Sequence, residues 1–334
     1  MPSTPDSHPW QEIVPGIFSI HEKVSTFGQP PVNIYFIPSK TDGGLLFDAG
    51  YATRRTLNQF LAAFNDLVQT LHDEGRLPRG VPYDHLVTRI VLSHEHHDHA
   101  SGAPLLRQYF PNAKLYASKE VAELLKEFTG LSTINSSGFQ RIVDMLEQLL
   151  LNVVYRTMHA EFSVNVDNIL QDGDRIECDD HVFRVMITPG HSPGQVLLYD
   201  ENYKLLLCSD LVLQNISTWL GPPNSSYAGY EKSMARLASL DLDLMLTAHG
   251  HSITEPTARI NELLKFRKLR EMQIIATCNK PRSAWYIAWR IYKEQGIWKV
   301  FLAQSMVGLV VNHLVQEGNL KLIKNGRKTL FLKA

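Results

Sequence analysis

The sequence predicts an α/β fold. Three observations carry that expectation: short apolar runs bounded by turn residues, an amphipathic helical stripe between two of them, and polar clusters directly after several of the runs. Ile13-Val14 and Ile17-Phe18-Ile20 flank Gly16, and the runs at 33–37 and 45–47 flank a Ser-Lys-Thr-Asp-Gly-Gly cluster, so each pair reads as strands joined by a tight loop. Residues 56–74 place Leu57, Phe60, Leu61, Phe64, Leu67, Val68 and Leu71 at helical spacing, with Gly75 and Pro78 marking the end. The run at 88–92 is β-branched and feeds a polar loop, as a buried strand does. From Ser118 to about Asn168 the pattern turns helical, with Val121, Leu124 and Leu125 in one stripe and a densely apolar stretch at 142–154. Strand-like runs return at 175–176, 181–187, 195–199, 204–208 and 243–247, so the middle segment reads as a helical insertion in a β-rich scaffold.

The last part, 256–334, is expected to be a separate small domain. Ile260, Leu263, Leu264, Phe266, Leu269 and Ile274 keep helical spacing, further helices follow at 284–292 and 302–317, and a hairpin turns on Asn325-Gly326. Helices followed by such a hairpin resemble a winged helix. Trp285, Tyr286, Trp289, Tyr292 and Trp298, at spacings of three and four, read first as core.

Composition excludes several classes. At 334 residues there is room for one large domain with an appendage, or for two domains, and 20% charged with 9% aromatic residues is ordinary globular usage. No apolar run approaches the ~20 residues that span a bilayer. The N-terminal MPSTPDSHPW lacks the pattern of a signal peptide, and the cysteines (Cys178, Cys208, Cys278) are too few and scattered for a disulfide framework, so a cytoplasmic protein is expected. The net charge of −1 is a cancellation: residues 256–334 hold 15 Lys/Arg against 4 Asp/Glu, and the rest holds 18 against 30.

The 14 histidines concentrate the chemistry. His94, His96, Asp98 and His99 lie directly after the 88–92 run, at offsets that suit a loop curling around ions rather than one face of a helix. His191 sits in a Thr-Pro-Gly-His-Ser-Pro-Gly turn, Asp210 follows the 204–208 run, His249 follows 243–247, and Asp48 follows 45–47. Singly, each has a plain reading: an Asp before a turn, a solvated loop histidine. Together, five polar clusters that each cap a separate strand describe one site on one edge of the sheets. His97 reads as a solvent-facing ring or as support behind a ligand. Cys208 reads as packed inside its strand, pointing away from Asp210.

These residues resemble the metallo-β-lactamase superfamily. His94-x-His96-x-Asp98-His99 matches its histidine signature, and Asp48, His191, Asp210 and His249 match its other motifs in order over roughly residues 11–255. The resemblance implies an αββα sandwich with a catalytic domain at 1–255, a helical insertion at about 118–168, and a basic winged-helix-like domain at 256–334. It implies that His94, His96 and His191 hold one divalent metal, that Asp98, His99 and His249 hold a second, and that Asp210 bridges them, with Asp48 fixing the orientation of a ligand imidazole. Zinc is the first expectation, with iron or manganese as alternatives. A hydroxide shared between two cations is a nucleophile near neutral pH, and Asp98 is also a candidate to orient it or shuttle a proton.

The expected reaction is attack on an ester or thioester carbonyl, since an insertion rich in Leu, Val and Met suits an apolar acyl group. Weak candidates for substrate contact are His251, Tyr155 and His159. The runner-up is cleavage of single-stranded RNA, drawn to the basic C-terminal part, whose charge has the competing explanation of docking on the acidic part within the chain or across a homodimer. A non-enzymatic nucleic-acid-binding regulator ranks last because every ligand position is intact. The missing export signal speaks against a β-lactamase, and no membrane partner is expected.

Overall fold

The computed structural model of the protein describes residues 8–22, 31–126, 164–221, 224–326 and 328–334. The expected helix over 142–154, Tyr155, His159 and most of the insertion lie outside the described residues.

Two sheets face each other. The first takes β1 (Trp10–Val14), β2 (Ile17–His21), β3 (Asn33–Ile37), β4 (Gly44–Phe47), β5 (Val87–Val91), β6 (Lys114–Ser118) and β7 (Asn168–Leu170) in sequence order. Its strands pair antiparallel as far as β4 and parallel from β4 to β7. The second takes β8 (Arg175–Cys178), β9 (His181–Ile187), β10 (Val196–Asp200), β11 (Leu205–Ser209) and β12 (Leu244–Thr247), with only β11 and β12 parallel. Alternation along single strands explains the layering. In β4, Leu45 and Phe47 join the core between the sheets while Leu46 joins the outer core; in β11, Leu205 and Leu207 face inward while Leu206 and Cys208 face outward. Because both faces are covered, these strands read as unbroken apolar runs rather than alternating ones. Cys208 thus packs in its strand as the sequence suggests.

Helices close both outer faces, giving the αββα order. On the first sheet lie α1 (Arg54–Asp73), α2 (His97–Ala100), α3 (Ala103–Tyr109) and α4 (Lys119–Lys126). The N-cap Thr53 of α1 accepts from the Thr56 N–H at 3.0 Å, and the helix turns off through Gly75 at φ +69°. On the second sheet lie α5 (Tyr227–Ala238), α6 (Pro256–Thr277), α7 (Ala284–Tyr292) and α8 (Ile297–Gln316), followed by the hairpin β13 (Leu320–Asn325) and β14 (Lys328–Lys333). Leu206 and Met245 of the sheet share one hydrophobic cluster with Ile260, Leu263, Ile287, Val311 and Phe331. Among the described residues no helix is long and apolar enough to cross a membrane.

The aromatic stripe of α7 departs from expectation. Ile287 and Ala288 are its buried residues, whereas Trp285 and Trp289 are 41% and 40% exposed. The helix has apolar residues around most of its circumference, so spacing alone does not say which of them faces inward.

Two arginines of α6 reach back to the sandwich. Arg259 donates to the carbonyls of Leu213 and Ile216, both at 2.8 Å, and Arg267 donates to that of Thr218 at 2.7 Å. The loop after β11 is therefore held from the C-terminal side.

Candidate metal centre

The polar clusters converge on one edge, at the C-terminal ends of β4, β5, β11 and β12 and at the turn between β9 and β10. All seven expected donors are brought together in two groups. His94, His96, His191 and Asp210 form one, and Asp98, His99 and His249 form the other, with one donor atom per residue lying within 4.8 Å of the rest of its group. In the first, His191 Nε2 lies 3.2 Å from His94 Nε2, 3.0 Å from His96 Nδ1 and 3.5 Å from Asp210 Oδ2. In the second, Asp98 Oδ2 lies 3.3 Å from His249 Nε2 and 3.6 Å from His99 Nε2. Asp210 reaches both groups, its oxygens 3.3 Å from His249 Nε2 and 3.7 Å from His99 Nε2.

The rings are set by what holds their far nitrogens. His191 Nδ1 donates to the Trp219 carbonyl and His249 Nδ1 to the Pro31 carbonyl, both at 2.7 Å, while His99 Nδ1 donates to Asp48 Oδ2 at 2.8 Å. Each bond leaves the Nε2 lone pair of the neutral ring aimed into the site. Asp48 sits at φ +69° and also accepts from the Ser93 N–H at 2.7 Å and the Ser93 hydroxyl at 2.9 Å, which binds β4 to the start of the histidine loop. Behind the His249 turn, the Tyr35 hydroxyl and the Asn33 amide donate across the sheets to the Thr247 carbonyl at 2.7 and 3.0 Å.

Several supports have no signal in the sequence. Buried Glu95 accepts from Ser192 Oγ at 2.5 Å and from Asn224 Nδ2 at 3.0 Å, tying the histidine loop to the His191 turn. Buried Gln195, its amide oxygen facing Asp210 N and Leu211 N at 3.2 Å, positions the acid between the two groups. The Trp219 and Pro31 carbonyls act through backbone, so no residue type announces them.

Of the remaining histidines, His97 is not solvent-facing. It is 5% exposed and sits edge-on to the Tyr51 ring at 5.2 Å, because α2 begins at this residue and turns it toward the protein. His251 lines a cavity of about 440 Å³ with Trp10, His21, Asn33 and Tyr35, and none of the seven donors is among the lining residues.

The donor set fits divalent metal. His99 Nε2 and Asp210 Oδ1 are buried and make no well-formed hydrogen bond among the described residues, their charged neighbours standing 3.3–3.7 Å away, an arrangement that a cation between them would complete. Two imidazole nitrogens, His94 Nε2 and His96 Nδ1, lie 3.2 and 3.0 Å from a third, His191 Nε2, close to the spacing of about 3.4 Å that nitrogens around a tetrahedral cation adopt.

The electrostatics agree. Burial pushes His94 well below the usual histidine range and His191 down to about 4, with neighbouring imidazoles adding to it, so both are neutral lone-pair donors at pH 7. Burial would also lower His249 and His99, but the carboxylates win: Asp210 and Asp98 lift His249 to about 10, and Asp98, Asp48 and Asp210 lift His99 well above its usual value. Without metal those two rings are imidazolium at pH 7. A cation must displace their protons, so uptake at the second group should release roughly one to two protons per ion at pH 7 and tighten as pH rises toward 10. Titration calorimetry in two buffers of different ionisation enthalpy reads that number; buffer-independent heats would refute it.

Comparison with known proteins agrees with this geometry. The family model described as the metallo-beta-lactamase superfamily matches residues 27–249. The acyl-coenzyme A thioesterase MBLAC2 of Gallus gallus is 28% identical over 230 residues, covering 67% of this chain and 73% of that protein. A hydroxyacylglutathione hydrolase of Salmonella paratyphi A is 26% identical over 197 residues, covering 55% of this chain and 59% of that one. Among solved structures, a beta-lactamase domain protein from Burkholderia ambifaria superposes with a TM-score of 0.77 at 21% identity, over 99% of this chain and 95% of that one. A metallo-beta-lactamase family protein from Thermus thermophilus gives 0.71 at 20% identity, over 97% and 100%. The chain belongs to the metallo-beta-lactamase superfamily and is a hydrolytic enzyme.

Proposed function

We propose that the protein is a thioester hydrolase working with two divalent cations, zinc first among them. His94, His96 and His191 would hold one, Asp98, His99 and His249 the other, and Asp210 would stand between them. The single observation that carries the reading is the meeting of two complete donor groups at one carboxylate, with a buried imidazole nitrogen and a carboxylate oxygen that make no well-formed hydrogen bond among the described residues. Such a pair, when bound, polarises a carbonyl and supplies a nucleophilic water near neutral pH.

The chain's own residues do the rest. Asp98 remains ionised: burial would raise its pKa, but His99 and His249 together hold it below the ordinary carboxylate range. Its side chain is 20% exposed, against 11% for Asp210, which leaves Asp98 the carboxylate nearer the opening and suited to orient the attacking water and take its proton. The leaving thiol, with an ordinary pKa of about 8.5, departs as thiolate and needs no proton in the transition state. An alkoxide or amine would need one. Thioesters are therefore favoured over esters, and the thioesterase and hydroxyacylglutathione hydrolase relatives point the same way.

RNA cleavage stays the second reading because of one observation: exposed Trp285 and Trp289 lie four residues apart on α7, beside Arg290 and with Lys293 Nζ 5.0 Å from the Trp289 ring. Purified protein assayed on aryl thioesters and on a short single-stranded RNA separates the two. Thioester turnover is expected, lost on chelation, restored by zinc and abolished in Asp98→Ala. Turnover that survives chelation, or RNA cleavage lost with His96→Ala and no thioester turnover, would overturn the assignment.

A further inference from the structure

The turn that carries His249 is held along its length by one residue. Asn33, at the start of β3, donates from its backbone N–H to the Ala248 carbonyl at 2.7 Å. Its side-chain amide donates to the carbonyls of Thr247 at 3.0 Å and Gly250 at 2.9 Å. The fourth carbonyl of the segment, that of His249 itself, accepts from Thr247 Oγ1 at 2.8 Å. Asn33 thus takes the other three and brackets His249 on both sides. Gly250 stands at φ +78°, the left-handed conformation in which its carbonyl meets the amide.

This works in only one orientation of the Asn33 side chain. Two carbonyl oxygens accept only from N–H groups, so Nδ2 faces the turn and Oδ1 faces away from it. Oδ1 lies 2.7 Å from His21 Nδ1, and because an amide oxygen only accepts, that ring nitrogen is the donor. Rotated by half a turn, the amide would set its oxygen against two carbonyl oxygens and its NH2 against the N–H of His21. Asn33 is 6% exposed, so such a flip would strand buried polar groups. His21 ends β2, is exposed, and lines with Asn33 the cavity of about 440 Å³. A chain of hydrogen bonds therefore runs from an open cleft, through His21 and Asn33, to both flanks of His249.

We propose that His21 is a positioning residue for the second donor group, its Nδ1–H keeping the Asn33 amide in the one orientation that fixes the His249 turn. The inference rests on the two-cation part of the proposed function and is independent of the substrate. It is specific to Asp98, His99 and His249, because His94 and His191 take their support from Ser93 Oγ and the Trp219 carbonyl instead.

The test reads the two stepwise zinc dissociation constants of the full-length protein by chelator competition. Asn33→Ala should weaken the second zinc roughly tenfold or more, and His21→Leu, one contact further out, about fivefold, with the first zinc nearly unmoved in both. His21→Asn, whose Nδ2 takes the place of the ring Nδ1, should restore the parent constant. Because His21 acts through Asn33, adding His21→Leu to Asn33→Ala should weaken zinc no further. Additive losses in the double variant would refute the relay. So would equal weakening of both zincs, which is a structural effect, or parent-like constants in His21→Leu. His21→Asn as weak as His21→Leu would assign the effect to ring packing and overturn the donor role. A parent protein that holds fewer than two zinc ions would overturn the two-cation reading and the inference with it, an outcome that the parent alone decides.

Discussion

Asp210→Ala is expected to abolish turnover, by roughly 10³-fold or more, and to remove metal from both halves of the centre. Among the described residues Asp210 is the one carboxylate whose oxygens approach both donor groups, 3.5 Å from His191 and 3.3 Å from His249. It also supports the charge of the metal-free site. Burial would raise its pKa, but His249 and His99 hold it well below the ordinary carboxylate range, and it in turn helps keep them protonated. Removing it leaves buried imidazoliums with less compensation, so the apparent pKa of His249 should fall from about 10. Metal content by atomic emission and the imidazole titration by NMR read the two effects separately. A variant that still binds two ions per chain would show that Asp210 does not lie between them.

Gly102→Ala is expected to destabilise the fold and empty the site together, although residue 102 is not a donor. A methyl group there would stand 2.1 Å from the Ala49 carbonyl oxygen and 3.0 Å from that of Gly50, both backbone and unable to swing aside. The contact is close because Gly102 N–H donates to Gly50 O at 2.9 Å, and Ala49 N–H to His99 O at 2.8 Å. Pushing residues 49–50 away therefore shifts Asp48 from His99. Overpacking of this kind costs about 1–3 kcal/mol, several degrees of melting temperature in a chain of this size. Thermal denaturation with and without zinc measures it: the apo form should melt lower, and zinc should raise the variant less than the parent. Identical melting curves would mean that the 48–50 loop can yield.

The histidine loop and the strand-end acids were legible in the sequence because ligand chemistry depends on residue type, and each donor follows an apolar run that ends at the same edge. The frame around them was less legible. Pro31 and Trp219 act through carbonyls that any residue carries, and Gln195 and Glu95 gain meaning only when the two sheets meet. The short Lys114–Ser118 strand carries Lys, Tyr and Ser among two apolar residues and has no period of its own; parallel neighbours on both sides make it a strand. In α7 the reading of Trp285 and Trp289 as core failed for the converse reason: apolar residues outnumber the positions that the core can accept.

The grip of Arg259 and Arg267 on the loop after β11 has a thermodynamic consequence. The Thr218 and Trp219 carbonyls belong to neighbouring peptides; one is held by a helix of the C-terminal part and the other selects the tautomer of His191. Unfolding that helix frees the loop, and a freed loop no longer presents the lone pair. Ion binding and the integrity of the C-terminal helices are therefore linked functions: whatever stabilises one raises the population of the other. Metal occupancy would register as slower hydrogen exchange in a helix that contributes no donor, and the basic tail would serve as part of the catalytic fold's cooperative unit, not as cargo attached to it.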